Sequence, residues 1–223
     1  MRRLLPLLLL LFVGCAKKPV AISAQQKAEH LVFFYTAGGR EDGLCTATAI
    51  GPHAFMTAAH CNDSDEPNKI VEFDYSTQKI HLLAGAKDGR DHVIYLIDGP
   101  AFQNTVDVQF AVKPAGAKEK VYIYGCGGGI FPPRLLSGIA NRFRQASDSS
   151  DVDAHQHLRY YTIPVIPGDS GSAIFGEDGR ILSLVAYRHY DGTSSGFELA
   201  FTKEQLAVAK AFDPSFLGLS NGA

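Results

Sequence analysis

The sequence predicts an all-β protein, and three observations indicate this fold class. The apolar segments are short, and glycine, proline or polar turn residues end each of them. The 223 residues include 22 glycines and 11 prolines, which suits strands and turns better than a helical bundle. Apolar residues make up 46% of the chain, enough for a substantial core. Without a leader, about 200 residues remain, enough for one double β-barrel or two small domains.

Seven apolar segments before residue 114 are predicted to be strands, and they are expected to supply a first, six-stranded barrel within residues 31–113. Two of these segments flank Gly51-Pro52 and are expected to form a hairpin. The segments lie at 31–35, 45–50, 54–58, 70–75, 80–84, 93–97 and 108–112.

A second set of strands is predicted in residues 121–202, after a polar linker at 114–120. The pattern then changes, because Leu206, Val208 and Ala209 recur at helical spacing. A short helix is therefore expected at 203–212, followed by a tail to residue 223. The strands of the second set are expected at 121–125, 135–143, 160–165, 172–175, 181–187 and 197–201.

The first 14 residues have the pattern of a signal peptide. Arg2 and Arg3 precede the apolar run 4–13, which Pro6 interrupts and which is too short to span a bilayer. This pattern predicts export. Residues 15–30 are then predicted to be a polar tether.

Residues 12–15, Phe-Val-Gly-Cys, resemble the lipobox of bacterial lipoproteins. The resemblance implies cleavage before Cys15 and a lipid anchor on that residue, although Phe12 departs from the usual leucine-like residue. Ala16, which stands where an aspartate would favour the inner membrane, implies the outer membrane. The alternatives are an ordinary secretory signal, with a soluble secreted or periplasmic product, and an uncleaved membrane anchor.

Two short runs carry a histidine and a serine, with candidate aspartates between them. Residues 57–61 read Thr-Ala-Ala-His-Cys, and residues 168–172 read Gly-Asp-Ser-Gly-Ser. A serine hydroxyl is a poor nucleophile unless a base takes its proton and a third group orients that base. Ser172 stands where the lipase pattern requires glycine, which argues against an α/β-hydrolase. The two runs resemble the histidine and serine boxes of the chymotrypsin-like (trypsin-fold) serine proteases.

The resemblance covers residues 31–212 and implies two six-stranded antiparallel β-barrels with a short C-terminal helix. It implies that His60 is the general base and Ser170 the nucleophile. It assigns the oxyanion hole to the backbone N–H groups of Gly168 and Ser170.

The resemblance also requires an aspartate that orients the histidine, at the start of an apolar strand. Asp107 is the preferred residue, because it heads such a segment after a bend that contains an aromatic residue. Gln109 departs from the family pattern, which usually has alanine there. Asp91 also heads a strand and is the rival, but it ends a charged run, 87–91, that is interpreted as a solvated loop.

A disulfide between Cys45 and Cys61 is implied by the resemblance, since the family places the partner cysteine one strand before the histidine box. Such a bridge suits an exported protein. It would close a loop of about 15 residues, worth roughly 3 kcal/mol in the chain-entropy model. Cys126 is left over and is predicted to be a small buried hydrophobe.

Asp169 raises the question of activation. In zymogen-activated members of the family the corresponding aspartate pairs with a freed N-terminal amine. No Ile-Val-Gly-Gly-like start precedes residue 31, and acylation of Cys15 would leave no free amine there. Either a later cleavage creates one, or another group holds Asp169. We expect the latter, in an enzyme that folds without an activation step.

The substrate pocket is weakly defined by the resemblance. No acid stands at its expected base, so a small or apolar substrate side chain is the first expectation. An inward Glu198 would instead favour a cation, and Arg188 would favour an acid. The implied pocket residues are Pro164, Val165, Ala186, Tyr187, Arg188, Gly196 and Glu198.

Two further features are interpreted conservatively. The glycine-rich run 125–129 is predicted to be a turn rather than a phosphate loop, because Pro132 and Pro133 follow it instead of a helix. His155 and His157 could bind a metal, but their segment, 148–157, is predicted to be a solvated surface loop, and no metal is expected.

The predicted function is that of a serine endopeptidase acting on protein or peptide substrates without a cofactor. The net charge of −2 gives no reason to expect nucleic acid as a partner. The alternative is a catalytically silent pseudo-protease that binds partners at the cell surface. An esterase on the same fold is a third possibility.

Overall fold

The computed structural model describes residues 23–37, 44–61, 70–73, 76–141 and 157–217. The predicted leader, Cys15, Ala16 and His155 lie outside these ranges, so their roles stay predictions. Within the described ranges no helix is long and apolar enough to cross a membrane.

The N-terminal half is a closed barrel of six antiparallel strands, as the sequence predicts. The strands follow the order β1-β2-β3-β6-β5-β4, and β1 pairs again with β4. Their bounds are β1 (Val32–Ala37), β2 (Leu44–Gly51), β3 (Ala54–Ala58), β4 (Ile70–Phe73), β5 (Ser76–Lys87) and β6 (His92–Ile97).

The strand predicted at 108–112 does not form. This segment makes only an isolated bridge between Phe110 and Ile181, with Val108 buried and Val112 82% exposed. Its apolar residues therefore do not line a sheet. The segment instead connects the two halves, with Val108 packed in their shared core.

The C-terminal half contains seven strands in two sheets, rather than one closed six-stranded barrel in the described residues. The sheets have the orders β11-β10-β7-β8 and β12-β13-β9. Single bridges, Ala140 to Tyr161 and Ser183 to Glu198, connect them. The strands are β7 (Lys120–Gly125), β8 (Arg134–Ile139), β9 (Leu158–Tyr161), β10 (Ala173–Gly176), β11 (Ile181–Leu184), β12 (Tyr187–Arg188) and β13 (Ser194–Phe197).

Within the described residues two α-helices flank the strands, and each begins with a capping box. The predicted C-terminal helix is confirmed as α2 (Lys203–Ala211), capped by Thr202. The other, α1 (Ala24–Glu29), lies inside the predicted tether. Its Ala28 is 2% exposed in the core, so the end of the tether is part of the folded body.

One apolar cluster extends across both halves of the chain. It contains Val32 and Met56 from the first barrel, Tyr122 and Phe175 from the second set of strands, and Ala28 from α1. Because burial of such side chains stabilises by about 1.5–3 kcal/mol each, this shared cluster holds the two halves together.

The implied disulfide is confirmed between Cys45 of β2 and Cys61, with an S–S distance of 2.05 Å. Cys61 closes a 3-10 turn (Ala59–Cys61) that directly follows β3. The bridge therefore ties the histidine-bearing turn to the neighbouring strand.

Removing this bridge should lower the free energy of unfolding by about 3 kcal/mol, because the unfolded chain regains a loop of about 15 residues. Urea denaturation of the wild type with and without reductant measures the difference. The double variant Cys45→Ala/Cys61→Ala is the control and should not respond to reductant. A wild type that is equally stable after full reduction would contradict this expectation.

Candidate active site

His60 is positioned by the pairing of two antiparallel strands. Ala58, the last residue of β3, pairs with His92, the first residue of β6, so the residues beyond them also face each other. His60 consequently meets Asp91. Its Nδ1 lies 2.8 Å from Asp91 Oδ2, and its backbone N–H donates to Oδ1 at 2.9 Å.

Asp91 is held firmly at this position. Its backbone is left-handed, with φ of 64°, and its carbonyl accepts the N–H of Ala59 at 2.8 Å. Its side chain is only 16% exposed, whereas that of His60 is 44% exposed. The carboxylate is thus a fixed acceptor behind a histidine that solvent can reach.

Asp88 anchors the segment that carries Asp91. Its side chain is fully buried; Oδ2 contacts His92 Nδ1 at 2.7 Å and accepts the N–H of Ala200 at 2.9 Å. Burial raises the pKa of Asp88, but the hydrogen bonds with His92, Ala200 and Arg90 outweigh burial and lower it. The interpretation of residues 87–91 as a solvated loop is therefore wrong for Asp88 and Asp91, whereas Lys87 and Gly89 are exposed.

The prediction that Asp107 orients the histidine is also wrong. Asp107 is 68% exposed and pairs with Lys27 of α1 at 2.6 Å, away from His60. The hydrogen bond from Lys27 lowers the pKa of the Asp107 carboxyl. The rival residue Asp91 is the one that the fold brings to the imidazole.

Ser170 lies in a tight turn that packs against the first barrel. Its carbonyl oxygen accepts the N–H of Thr46 at 2.8 Å and lies 3.9 Å from the sulfur of Cys61. Gly171 follows with φ of 83°, and a Cβ there would lie 2.3 Å from both Thr46 O and Thr57 Oγ1. Only glycine permits this approach, so the serine is brought beside the histidine-bearing turn.

Thr46 joins the two halves at this contact. Its hydroxyl donates to the carbonyl of Gly168 at 2.8 Å and accepts the N–H of Cys126 at 2.9 Å. Its own carbonyl accepts the hydroxyl of Thr57 at 2.9 Å. Thr46 is completely buried, so these bonds satisfy polar groups that water cannot reach.

The residue before the serine is a fully buried carboxylate with an internal cation. Arg134 Nη2 lies 3.1 Å and 2.9 Å from the two oxygens of Asp169. The N–H groups of Gly127 and Ile166 donate to the same carboxylate at 2.7 Å and 2.9 Å. The expectation that another group holds Asp169 is confirmed, and that group is Arg134, which the sequence analysis missed.

The glycine-rich run 125–129 packs closely against the Asp169 carboxylate. A Cβ on Gly125 would lie 2.2 Å from Asp169 Oδ1, and one on Gly127 would lie 2.5 Å from the same atom. The predicted turn at 125–129 is confirmed as a short 3-10 turn, Gly127–Gly129. Its glycines serve close packing around Asp169.

The two predicted oxyanion donors flank Asp169 in the chain. Neither the Gly168 nor the Ser170 N–H donates to an acceptor within the described ranges. Gly168 has φ of 99°, and its carbonyl is fixed by Thr46. The assignment of these groups to an oxyanion hole stays a prediction.

Three of the predicted pocket residues lie on β12 and β13, and Ala186 and Glu198 directly flank these strands. The Gly171 N–H donates to the carbonyl of Val185. The next residue, Ala186, donates its N–H to the carbonyl of Ser195. Glu198 is half-buried, with Oε2 3.6 Å from His157 Nδ1. Tyr187 and Arg188 are exposed on β12, Gly196 is buried on β13, Pro164 is exposed and Val165 is buried in the core.

Two smaller predictions concern the thiol of Cys126 and a metal site. Cys126 is a buried free thiol, as predicted, and burial raises its pKa to about 12. The described part of the chain contains no cluster of three or more His, Cys, Asp or Glu side chains that could hold a metal ion.

Replacing Gly171 by alanine should destabilise the protein far more than replacing Gly192, which has a similar φ of 80° but open space around it. Gly192→Ala should cost about 1–2 kcal/mol of left-handed strain. Gly171→Ala should cost about 1–3 kcal/mol more from overpacking. Urea denaturation of both variants measures this, and equal losses would show that the serine turn does not pack closely on Thr46 and Thr57.

No protein-family model matches the chain, and no curated protein matches it in sequence. Several solved structures match the chain in fold. The active form of the Rv3671c protease from M. tuberculosis has a TM-score of 0.63 at 18% identity, covering 86% of each chain. Its inactive form has a TM-score of 0.62 at 19% identity, covering 84% of this chain and 93% of the other. A serine endoprotease from Yersinia pestis has a TM-score of 0.58 at 14% identity, with 78% and 61% coverage. The chain therefore has the fold of the trypsin-like serine proteases.

Proposed function

We propose that this protein is a serine endopeptidase in which His60, Asp91 and Ser170 form the catalytic triad. The observation that carries the proposal is the contact of 2.8 Å between His60 Nδ1 and the Asp91 carboxylate. The turn that carries His60 is bonded through Cys61 to Cys45, and the next residue, Thr46, donates its N–H to the Ser170 carbonyl. A carboxylate on Nδ1 leaves Nε2 as the basic nitrogen. The fold similarity to named serine proteases supports the same class of reaction.

The proposed reaction proceeds through an acyl-enzyme. Nε2 of His60 takes the proton of the Ser170 hydroxyl as its oxygen attacks the peptide carbonyl. The imidazolium then gives this proton to the leaving amine, and the C–N bond breaks. Water, deprotonated by the same nitrogen, attacks the ester, and the free acid leaves as Ser170 regains its proton.

Two interactions of the chain would stabilise this path. The Asp91 carboxylate holds the tautomer of His60 and stabilises the imidazolium that forms. The N–H groups of Gly168 and Ser170, which donate to no acceptor in the described residues, would bind the developing oxyanion. Loss of one such donor typically lowers the rate by about 10² to 10³.

The proposed substrates are proteins or peptides with a small or apolar side chain in the primary pocket. Glu198 is half-buried and already has a polar neighbour in the chain, His157, whose Nδ1 lies 3.6 Å from its Oε2. Arg188 is exposed on β12 rather than enclosed, which weakens a preference for acids. We further propose that the enzyme is exported and lipid-anchored through Cys15 at the outer membrane.

A fluorophosphonate probe should label the wild type on Ser170 and should not label Ser170→Ala, because the probe reacts with a base-activated serine hydroxyl. Intact-mass spectrometry measures the adduct. Ser172→Ala serves as a matched control, since this neighbouring serine hydroxyl is buried and should leave labelling intact. A folded wild type that stays unlabelled would favour the hypothesis of a catalytically silent pseudo-protease.

Asp91→Asn should lower kcat by roughly 10⁴, because an amide no longer favours the reactive tautomer of His60. Asp107→Asn should leave kcat within about threefold, since its exposed ion pair with Lys27 contributes little. Hydrolysis of a peptide substrate measures both variants. The opposite ranking would restore Asp107 to the triad.

A further inference from the structure

We propose that the protein lies on the membrane with the face opposite its catalytic residues, so that His60 and Ser170 point away from the lipid. This inference rests on the proposed function, specifically on the lipid anchor at Cys15, and deepens it by naming the surface that meets the bilayer. We call this surface the basal face and define it by Lys27, Val106, Val112, Phe216 and Leu217.

The first barrel carries its catalytic residues at one end. His60 follows the end of β3, and Asp91 precedes the start of β6. The turn between β2 and β3 lies at the other end, separated from His60 by the length of β3, about 15 Å. Ile97, the last residue of β6, donates its N–H to the carbonyl of His53 in that turn. The chain therefore leaves β6 at the end of the barrel that is away from His60.

α1, α2 and the segment between β6 and β7 meet at this end. Gly51 packs so closely on α2 that a Cβ there would clash with the helix backbone. Lys210 of α2 donates from Nζ to the carbonyl of Val108 at 2.6 Å. Asp107 in turn pairs with Lys27 of α1 at 2.6 Å. These three elements therefore form one continuous surface on the side away from the catalytic residues.

Large apolar side chains on this surface are open to solvent. Val106 is 87% exposed, Val112 is 82% exposed and Phe216 is 85% exposed. Val106 directly precedes Asp107, and Phe216 lies in the 3-10 turn that follows α2. Single exposed apolar residues are ordinary, but a group of them on one face marks an interaction surface.

The position of the proposed anchor selects the bilayer as the partner of this surface. Ser23, the N-cap of α1, follows Cys15 by eight residues. Even a fully extended chain of that length would reach only about 30 Å. Because Ala28 fixes α1 in the core, the face that α1 borders is the one held next to the lipid.

The charges of the basal face permit contact with anionic headgroups. Asp107 is paired with Lys27, and the nearby Asp178 is paired with Arg180. Lys113 is exposed directly after Val112, and a lysine close to an anionic membrane surface is attracted to it. Apolar side chains flanked by cations are the composition that lies in a membrane interface.

This orientation determines which substrates the enzyme meets. The catalytic residues face the solution, with the first barrel between them and the lipid. The substrates are therefore proteins in the compartment around the membrane, rather than segments embedded in the bilayer.

Fluorescent probes on the acylated full-length protein test this orientation. Val106→Cys and Phe216→Cys place a nitrobenzoxadiazole probe on the basal face. Tyr190→Cys, at a fully exposed position beside the predicted pocket strand β12, is the matched control. The thiol of Cys126 is buried and should take up no probe.

The protein is bound to vesicles of phosphatidylethanolamine and phosphatidylglycerol that contain a lipid with a nitroxide near its headgroup. The two basal probes should be quenched about threefold or more, because a docked surface enters about 5–10 Å into the headgroup boundary. The control probe should keep its intensity. Fluorophosphonate labelling of each variant at the wild-type rate checks that it is folded.

Equal quenching of all three probes, or stronger quenching of the control, would overturn the inference and leave the anchor in place. Unquenched basal probes would overturn it as well, and cross-links through these cysteines would assign the face to a second copy of the chain. A wild type without lipid on Cys15 that does not sediment with vesicles would overturn the anchor and the inference together. A wild type that fluorophosphonate does not label would overturn the endopeptidase proposal but not the orientation.

Discussion

The close contact between the serine turn and strands β2 and β3 is the constraint on which the candidate site depends. Gly171 permits this contact, and Thr46 satisfies the polar groups that the contact buries. The disulfide then ties Thr46's neighbour, Cys45, to the turn that carries His60. The turns that carry His60 and Ser170, 110 residues apart in the chain, are each attached to the same short piece of β2, through Cys45 and Thr46.

Three buried or half-buried carboxylates surround this contact, and each has a different partner. Asp91 faces a histidine that solvent can reach, which suits the role proposed for His60 as a general base. Asp88 and Asp169 are fully buried and are held by His92 and Arg134 together with backbone N–H groups. Asp88 and Asp169 therefore fix the segments next to Asp91 and Ser170. Electrostatic stabilisation of a transition state requires groups that are held in place in this way before the reaction begins.

The errors of the sequence analysis share one physical origin. Asp107 heads an apolar segment, but that segment forms no strand, and its carboxylate pairs with a lysine of α1. Asp91 ends a charged run, but strand register places it opposite His60, and the buried side chain of Asp88 anchors the run to Ala200. Local composition describes the polarity of a segment, whereas burial depends on contacts with residues far away in the chain.

The sequence by itself determined the fold class, the histidine and serine runs and the C-terminal helix, because each depends on a local pattern or a short motif. The disulfide was implied by the family resemblance of the histidine run. Only the tertiary structure decided which aspartate meets His60, that Arg134 is the cation on Asp169, and that α1 packs on the core. These are pairings between distant segments, selected by strand register and by close backbone packing at Gly125, Gly127 and Gly171. No local pattern of residues carries that information.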